Sequence, residues 1–250
     1  MTGDPLGVAD PGATPQWASA PAGPRPTAGA DRFADLLLLR PPRAAHAAVI
    51  GLTAQGMSAR EIYLDVLGPA LEEVGARWQR GIATIAQEHL ATAVVGAIMT
   101  RLAGQLATTR PVRRRIVLAC TDGELHETGL RMVRDFLEGD GWEVFYLGAE
   151  TPSDSLRFLV DRAQPHVVGL STALPNRVPV ARATVSALRS RPARPYILLG
   201  GHAYGGDAAL ARHIGADGFA ANAGEASRLL RCEFGDGAGD PAAEVAAPGG

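Results

Sequence analysis

Between Phe33 and Leu106 the apolar positions follow a helical period, and beyond Pro111 they gather into short runs alternating with helical faces. Phe33 to Leu39 is one apolar run, stopped by Pro41-Pro42, and Ala44 to Leu52 continues on a fresh helix ending near Gly56. Ser58-Ala59-Arg60-Glu61 is a capping box, in which the serine oxygen and the glutamate satisfy each other's backbone N–H groups. It opens an amphipathic stretch to about Arg80, with Pro69 expected to bend it. Thr84-Ile85-Ala86-Gln87 is a second capping box, starting a helix that reaches roughly Leu106. Four helices with short connections predict an antiparallel bundle.

After Pro111 the candidate strands are Ile116–Cys120, Glu143–Leu147, Val167–Ser171, Tyr196–Leu199 and Gly218–Ala221. Helical patterns separate them at Leu130–Glu138, Ser153–Arg162, Val178–Arg189 and Ala208–Ile214, and a last one follows at Glu225–Cys232. Alternating β and α units call for a parallel sheet covered by helices on both faces, and five strands suggest the flavodoxin-like order 2-1-3-4-5. The expected fold class is therefore α/β, a four-helix bundle cap over 32–109 followed by a five-stranded, parallel, Rossmann-like domain over 110–232. Residues 1–31 hold six prolines, five glycines and seven alanines, a composition that predicts a disordered leader. The segment 233–250 has the same character and is expected to be a disordered tail.

Composition removes several chemistries. All 24 basic residues are arginine, so there is no lysine for a phosphate-binding Walker loop, a Schiff base, a kinase ion pair or a receiver domain. The net charge of −2 gives no global field to hold DNA or an anionic membrane. Arg113-Arg114-Arg115, the one dense basic run, reads as solvating the start of a strand rather than gripping phosphate. Two cysteines, Cys120 and Cys232, make neither a CxxC pair nor a disulfide framework. No apolar run approaches the ~18 residues a membrane span requires, and no signal peptide is visible. A soluble, cytoplasmic protein is expected.

In a sheet of this order, ligands sit outside the carboxyl ends of the strands, at the switch point between the first and third. The first loop there, Thr121 to Gly129, lacks G-x-G-x-x-G, which disfavours a dinucleotide. It offers instead an imidazole, His126, with Glu124 two residues before it and Gly129 three after. Imidazole is the commonest nitrogen ligand for a transition metal, and a carboxylate on its far nitrogen fixes the tautomer. A solvated loop histidine, with Asp122 and Glu127 as solvent-facing charges, is the plain alternative. The third loop adds the hydroxyls of Ser171 and Thr172, and the turn after the fourth strand adds Gly200-Gly201, which permits close backbone contact.

Together, Glu124-x-His126-x-x-Gly129, Ser171 and Gly200-Gly201 resemble the DxHxxG…SxL…GG signature of cobalamin-binding Rossmann domains. The resemblance implies His126 as lower axial ligand of cobalt, Glu124 as the carboxylate orienting it, and Ser171, Gly200 and Gly201 along the displaced nucleotide tail. The helical half carries Trp78 followed ten residues later by Glu88-His89, similar to the W-x9-EH motif of CarH/LitR-like adenosylcobalamin photoreceptors. That similarity implies Trp78 over the upper axial face, with Glu88 and His89 holding the adenosyl group. Read without it, Trp78 is a bundle core residue and Glu88 a carboxylate favoured by the helix dipole.

The chain also departs from these patterns. Gln79 follows Trp78 where the photoreceptors have a second potential cobalt ligand, Ala173 replaces the leucine of SxL, and Leu130 stands where corrinoid methyl carriers have lysine. The low-complexity ends leave no room for the photoreceptors' winged-helix domain, so output through a separate effector protein is expected, without direct DNA binding. The resemblance implies a cobalamin-binding light sensor, not an enzyme, with homo-oligomerisation by analogy. The alternatives are a corrinoid carrier for a methyltransferase and, more remotely, a binding module independent of cobalamin. Related modules hold a second, linear tetrapyrrole, and a bilin in the bundle is a further expectation. No covalent site for one is evident: Cys120 ends a strand and Cys232 lies near the tail.

Overall fold

A computed structural model describes residues 28–106, 111–191 and 194–235. Helix α1 (Ala28–Leu39) begins four residues inside the expected leader. Its buried positions Ala30, Phe33, Ala34 and Leu37 form an i, i+3, i+4, i+7 stripe. The small side chain of Ala30 is a core contact, which composition alone conceals. The rest of the expected leader, and the tail beyond Gly235, lie outside the described residues. Helix α2 (Pro42–Ala54) starts on proline, whose missing N–H has no partner to lose in a first turn.

The capping box at Ser58 forms as expected: Glu61 N–H donates to the serine oxygen at 3.3 Å and Ser58 N–H to the glutamate at 2.8 Å. It opens α3 (Ala59–Glu61), which widens into a π-helical segment, Ile62–Leu67, before α4 (Gly68–Gln79). Pro69 has no N–H to give the carbonyl four residues back, and its ring crowds that carbonyl. The chain answers with a π turn, Gly68 N–H reaching the carbonyl of Tyr63. The second capping box begins α5 (Ile85–Leu102). Apolar faces of these helices meet in one core that includes Ile62, Leu67, Val95 and Met99.

The second half forms a five-stranded sheet in the order β2-β1-β3-β4-β5, all pairs parallel. In chain order its elements are β1 (Arg115–Cys120), α6 (Thr128–Gly139), β2 (Glu143–Gly148), α7 (Ser153–Ala163), β3 (Val167–Ser171), α8 (Val178–Arg189), β4 (Tyr196–Gly200), α9 (Ala208–Ile214), β5 (Gly218–Ala220) and α10 (Ala223–Phe234). Alternation along β1 sends Ile116, Leu118 and Cys120 towards α6 and α10, and Val117 and Ala119 towards α7, α8 and α9. The expected doubly wound arrangement is therefore present. α10 runs through Phe234, into the expected tail, because that ring packs edge-on against Trp142 and Tyr196. Arg114 stacks over the same ring and donates to the Phe234 carbonyl.

The two halves share α6. Met132 and Phe136 from α6, with Ala223 from α10, complete the core of the bundle. The Tyr63 hydroxyl donates to the buried Asp135 at 2.7 Å, and Arg60 pairs with Asp140 at 2.6 Å. Asp140 also accepts from Ser227 and Arg231 of α10. Among the described residues no helix is long and apolar enough to cross a membrane.

Candidate cobalamin site

The switch point lies between β1 and β3, whose ends pair Cys120 with Ser171, while Ser171 pairs in turn with Gly200 of β4. The β1–α6 loop leaves this edge through Thr121, whose N–H donates to the Ser171 carbonyl. Three residues on, Glu124 is wholly buried. One carboxylate oxygen accepts the backbone N–H groups of Ala173 and Leu174, both at 2.9 Å, so that Glu124 stitches the first loop to the third. The other oxygen accepts His126 N–H at 3.1 Å and lies 2.5 Å from His126 Nδ1.

Burial alone would raise the Glu124 pKa, but the hydrogen bonds from the His126 ring, the His126 amide, Leu174 and Ala173 outweigh it and hold the carboxyl down at about 2. The bond to Glu124 raises the His126 pKa, burial opposes that, and the charges of Glu124 and Glu88 add to it. The ring is thus oriented by a buried anion yet 55% exposed. With Nδ1 committed, Nε2 is the nitrogen left for a metal. Among the described residues no group of three His, Cys, Asp or Glu side chains could hold a bare ion. A lone oriented imidazole suits a metal whose equatorial plane a macrocycle already fills.

The surface around His126 has the character such a macrocycle needs. Leu125, 65% exposed, and the exposed Leu174 flank the histidine from the two loops. Gly129, in the first turn of α6, is exposed, and a Cβ built on it would meet nothing within 4 Å. Gly201 has a different role: its φ is +107°, and a Cβ there would lie 2.2 Å from the Thr172 carbonyl oxygen. Only glycine lets the end of β4 pack this closely on the third loop. Ser171 stays half-buried at the edge, but Thr172 is fully buried. Its hydroxyl is shared between Thr121 at 2.8 Å and Tyr204 at 3.0 Å. Thr172 therefore supports the loops from beneath instead of lining open surface.

Above this edge stands α5. A Cβ on Gly96 would come 3.0 Å from the Arg131 guanidinium of α6, so this face of α5 turns towards the α/β domain. Thr92 and Glu88, one and two turns nearer the helix start, lie on the same face and are hydrogen-bonded to each other at 3.0 Å. Glu88 is close enough for its charge to act on His126. His89, 72% exposed, lies 3.7 Å from the Glu88 carboxylate. Trp78 lies in the last turn of α4 and is 40% exposed, so it is no core residue of the bundle.

Several supporting residues had no sequence signal. Tyr204 and Thr121 complete the hydroxyl network, and the amides of Ala173 and Leu174 carry no side-chain signature. Glu127 is half-buried, accepting from the Tyr146 hydroxyl at 3.0 Å and the Ala149 amide at 3.2 Å, and is not the solvent-facing charge its loop position suggested. Cys120 is buried, its thiol pushed up to about 12 by burial and the charges of Glu124 and Glu127.

Fold and site together define a two-domain cobalamin-binding protein, a helical cap over an α/β domain. Models of the B12 binding domain match both halves, over residues 30–103 and 114–230. Two HTH-type transcriptional repressors of Myxococcus xanthus, CarA and CarH, are each 37% identical, over 112 and 125 residues respectively. These matches cover 44% and 50% of this chain but only 37% and 41% of the repressors' own length. Dimethylamine corrinoid protein 3 of Methanosarcina mazei is 28% identical over 165 residues, 62% of this chain and 95% of its own. The solved monomethylamine corrinoid protein of Methanosarcina barkeri shares the fold, with a TM-score of 0.71 over 81% of this chain and 97% of its own at 16% identity. The ligand is cobalamin, and the relatives divide between repressors and corrinoid proteins.

Proposed function

We propose that this chain is a sensor that reads light through adenosylcobalamin and passes the signal to a separate effector protein, without catalysing a reaction of its own. When bound, the cofactor supplies a cobalt–carbon bond that visible light breaks. His126 would hold the metal from below, oriented by Glu124. Glu88, His89 and Trp78 on the cap would enclose the upper ligand. One observation carries the reading: the motif pair Glu88-His89 begins the helix whose inner face is turned to α6, and the Glu88 charge reaches His126. On this reading Glu88 on the cap and His126 on the α/β domain would face the cofactor from opposite sides of the domain boundary. Because α6 begins two residues after His126, bears the Tyr63–Asp135 contact and ends at Asp140, which pairs with Arg60, a change at the metal would have a short path into the cap.

The test is the absorption spectrum of protein loaded with adenosylcobalamin in the dark, before and after illumination. A light-induced change that His126→Ala alters supports the sensor, and an unchanged spectrum overturns it. A corrinoid carrier for a methyltransferase is the second reading, favoured by the corrinoid protein whose length is matched almost throughout. Methyl transfer to or from the bound corrinoid would establish it.

A further inference from the structure

Arg177 ends the short turn Pro175–Arg177 after β3, on the loop whose amides hold Glu124. Its guanidinium lies flat on Gly123 of the first loop: a Cβ there would fall 2.6, 2.7 and 2.9 Å from Nη1, Cζ and Nη2. Gly123, with φ +75°, leaves room for it. The side chain is half-buried, and its Nε is buried with no hydrogen-bond partner. Asp122, adjacent to Gly123, is exposed and makes no ion pair with it. Other half-buried arginines meet carboxylates, as Arg134 meets Asp135 and Arg77 meets Glu73, and Arg114, whose Nε is also unpaired, meets the ring and carbonyl of Phe234 instead. A partly desolvated cation without an anion is costly, and this one stands on the two loops that present His126.

We propose that Arg177 is the residue that pairs with the phosphodiester of the cobalamin nucleotide tail, and so selects complete cobalamin over corrinoids lacking the tail. This rests on cobalamin as the ligand. The corrin's side-chain amides are neutral, and the phosphodiester is the anionic group of the cofactor. The lower face of the corrin, from which the tail hangs, is the one a ligand at His126 would take. A planar guanidinium fork matches phosphate oxygens better than an ammonium does.

The experiment compares the dissociation constants of hydroxocobalamin and of cobinamide, the same corrin without the nucleotide tail, for the wild type, Arg177→Gln and Arg177→Lys. Arg177→Gln is expected to weaken cobalamin binding about 10- to 100-fold, more at low salt than at high salt, and to leave cobinamide binding unchanged. Arg177→Lys should fall between. With no hydrogen bond or ion pair to its guanidinium among the described residues, Arg177 should be replaceable without lowering the unfolding temperature of ligand-free chain. Equal weakening towards both corrinoids, unchanged cobalamin binding, or a destabilised free protein would each overturn the proposal. A wild type that binds neither corrinoid would overturn it too, by removing the ligand itself.

Discussion

Glu124 holds His126 by its ring and by its backbone at once, with the same carboxylate oxygen 2.5 Å from Nδ1 and 3.1 Å from the amide nitrogen. Its second oxygen takes two amides of the loop after β3. One buried anion thereby fixes the imidazole and joins the two loops on either side of the switch point.

Removing either partner should therefore have unlike consequences. Glu124→Ala leaves three amides and an imidazole facing a buried void, and is expected to destabilise the ligand-free protein by about 3–5 kcal/mol, read from denaturant unfolding. His126→Ala removes a half-exposed ring and should cost the free fold about 1 kcal/mol or less. Its effect should appear in cobalamin binding, with the loss of the spectral signature of a histidine-ligated cobalt.

The same pair predicts the pH dependence of the free protein. Glu124 has its pKa depressed from 4.5 to about 2, so its stabilisation is in force above the unfolded value and is lost as pH falls through the folded one. His126 is raised above 6.5, so its share is complete below that value and fades as pH climbs through the raised one. Denaturant midpoints should thus peak between about pH 5 and 6 and decline on both sides. In His126→Ala the alkaline decline due to this residue should vanish, and the acid one should shrink without disappearing, because the ring bond is lost while the three amide bonds to Glu124 remain. An unchanged alkaline decline in that variant would assign it to other groups.

Much of this architecture was legible because it is written locally. Two capping boxes mark where α3 and α5 begin, and the change of period at Pro111 separates bundle from sheet. The strand order follows from alternation of β and α units, which admits few topologies. What the chain does not write locally was missed. The core role of Ala30 depends on the helices that cover it, and the π turn at Ile62–Leu67 is a response to Pro69 that preserves the packing of Tyr63 on Asp135. At the site, the spacing of Glu124, His126 and Gly129 pointed to a ligand edge. The burial of the Thr172 hydroxyl is not written locally, because Tyr204, which it meets, lies 32 residues away. Arg177 belongs to no motif, and only contact with Gly123 distinguishes it.

The two motif glycines should respond to alanine in opposite ways. At Gly201 a Cβ would strike the Thr172 backbone, and φ is +107°. Gly201→Ala should destabilise the protein by about 2 kcal/mol or more. At Gly129, helical and open, alanine should stabilise the free protein by about 0.5–1 kcal/mol. If a corrin lies over this turn, the same methyl should weaken cobalamin binding, so that thermal unfolding and affinity move in opposite directions. Gly129→Ala binding cobalamin as well as the wild type would place the macrocycle elsewhere.

Coupling between the domains concentrates on two acidic residues of the α6 region. Asp135 is buried and receives the Tyr63 hydroxyl together with Arg134, and Asp140 gathers Arg60 from the cap with Ser227 and Arg231 from α10. Tyr63→Phe keeps the ring contact with Phe136, 5.8 Å between centroids, but removes the donor from a buried carboxylate. It is expected to cost about 1–3 kcal/mol. Asp140→Asn retains size and acceptors but loses charge, so the half-exposed Arg60 link should weaken by about 1 kcal/mol. The two sites lie at the last turns and the end of α6, and each variant loosens the cap without touching His126. Hydrogen exchange should therefore rise in α3 and α4 in both variants, while β1 and β3 keep their protection. Uniform loss of protection across the sheet would mean that cap and α/β domain unfold as one unit, and that the cap cannot move independently on α6.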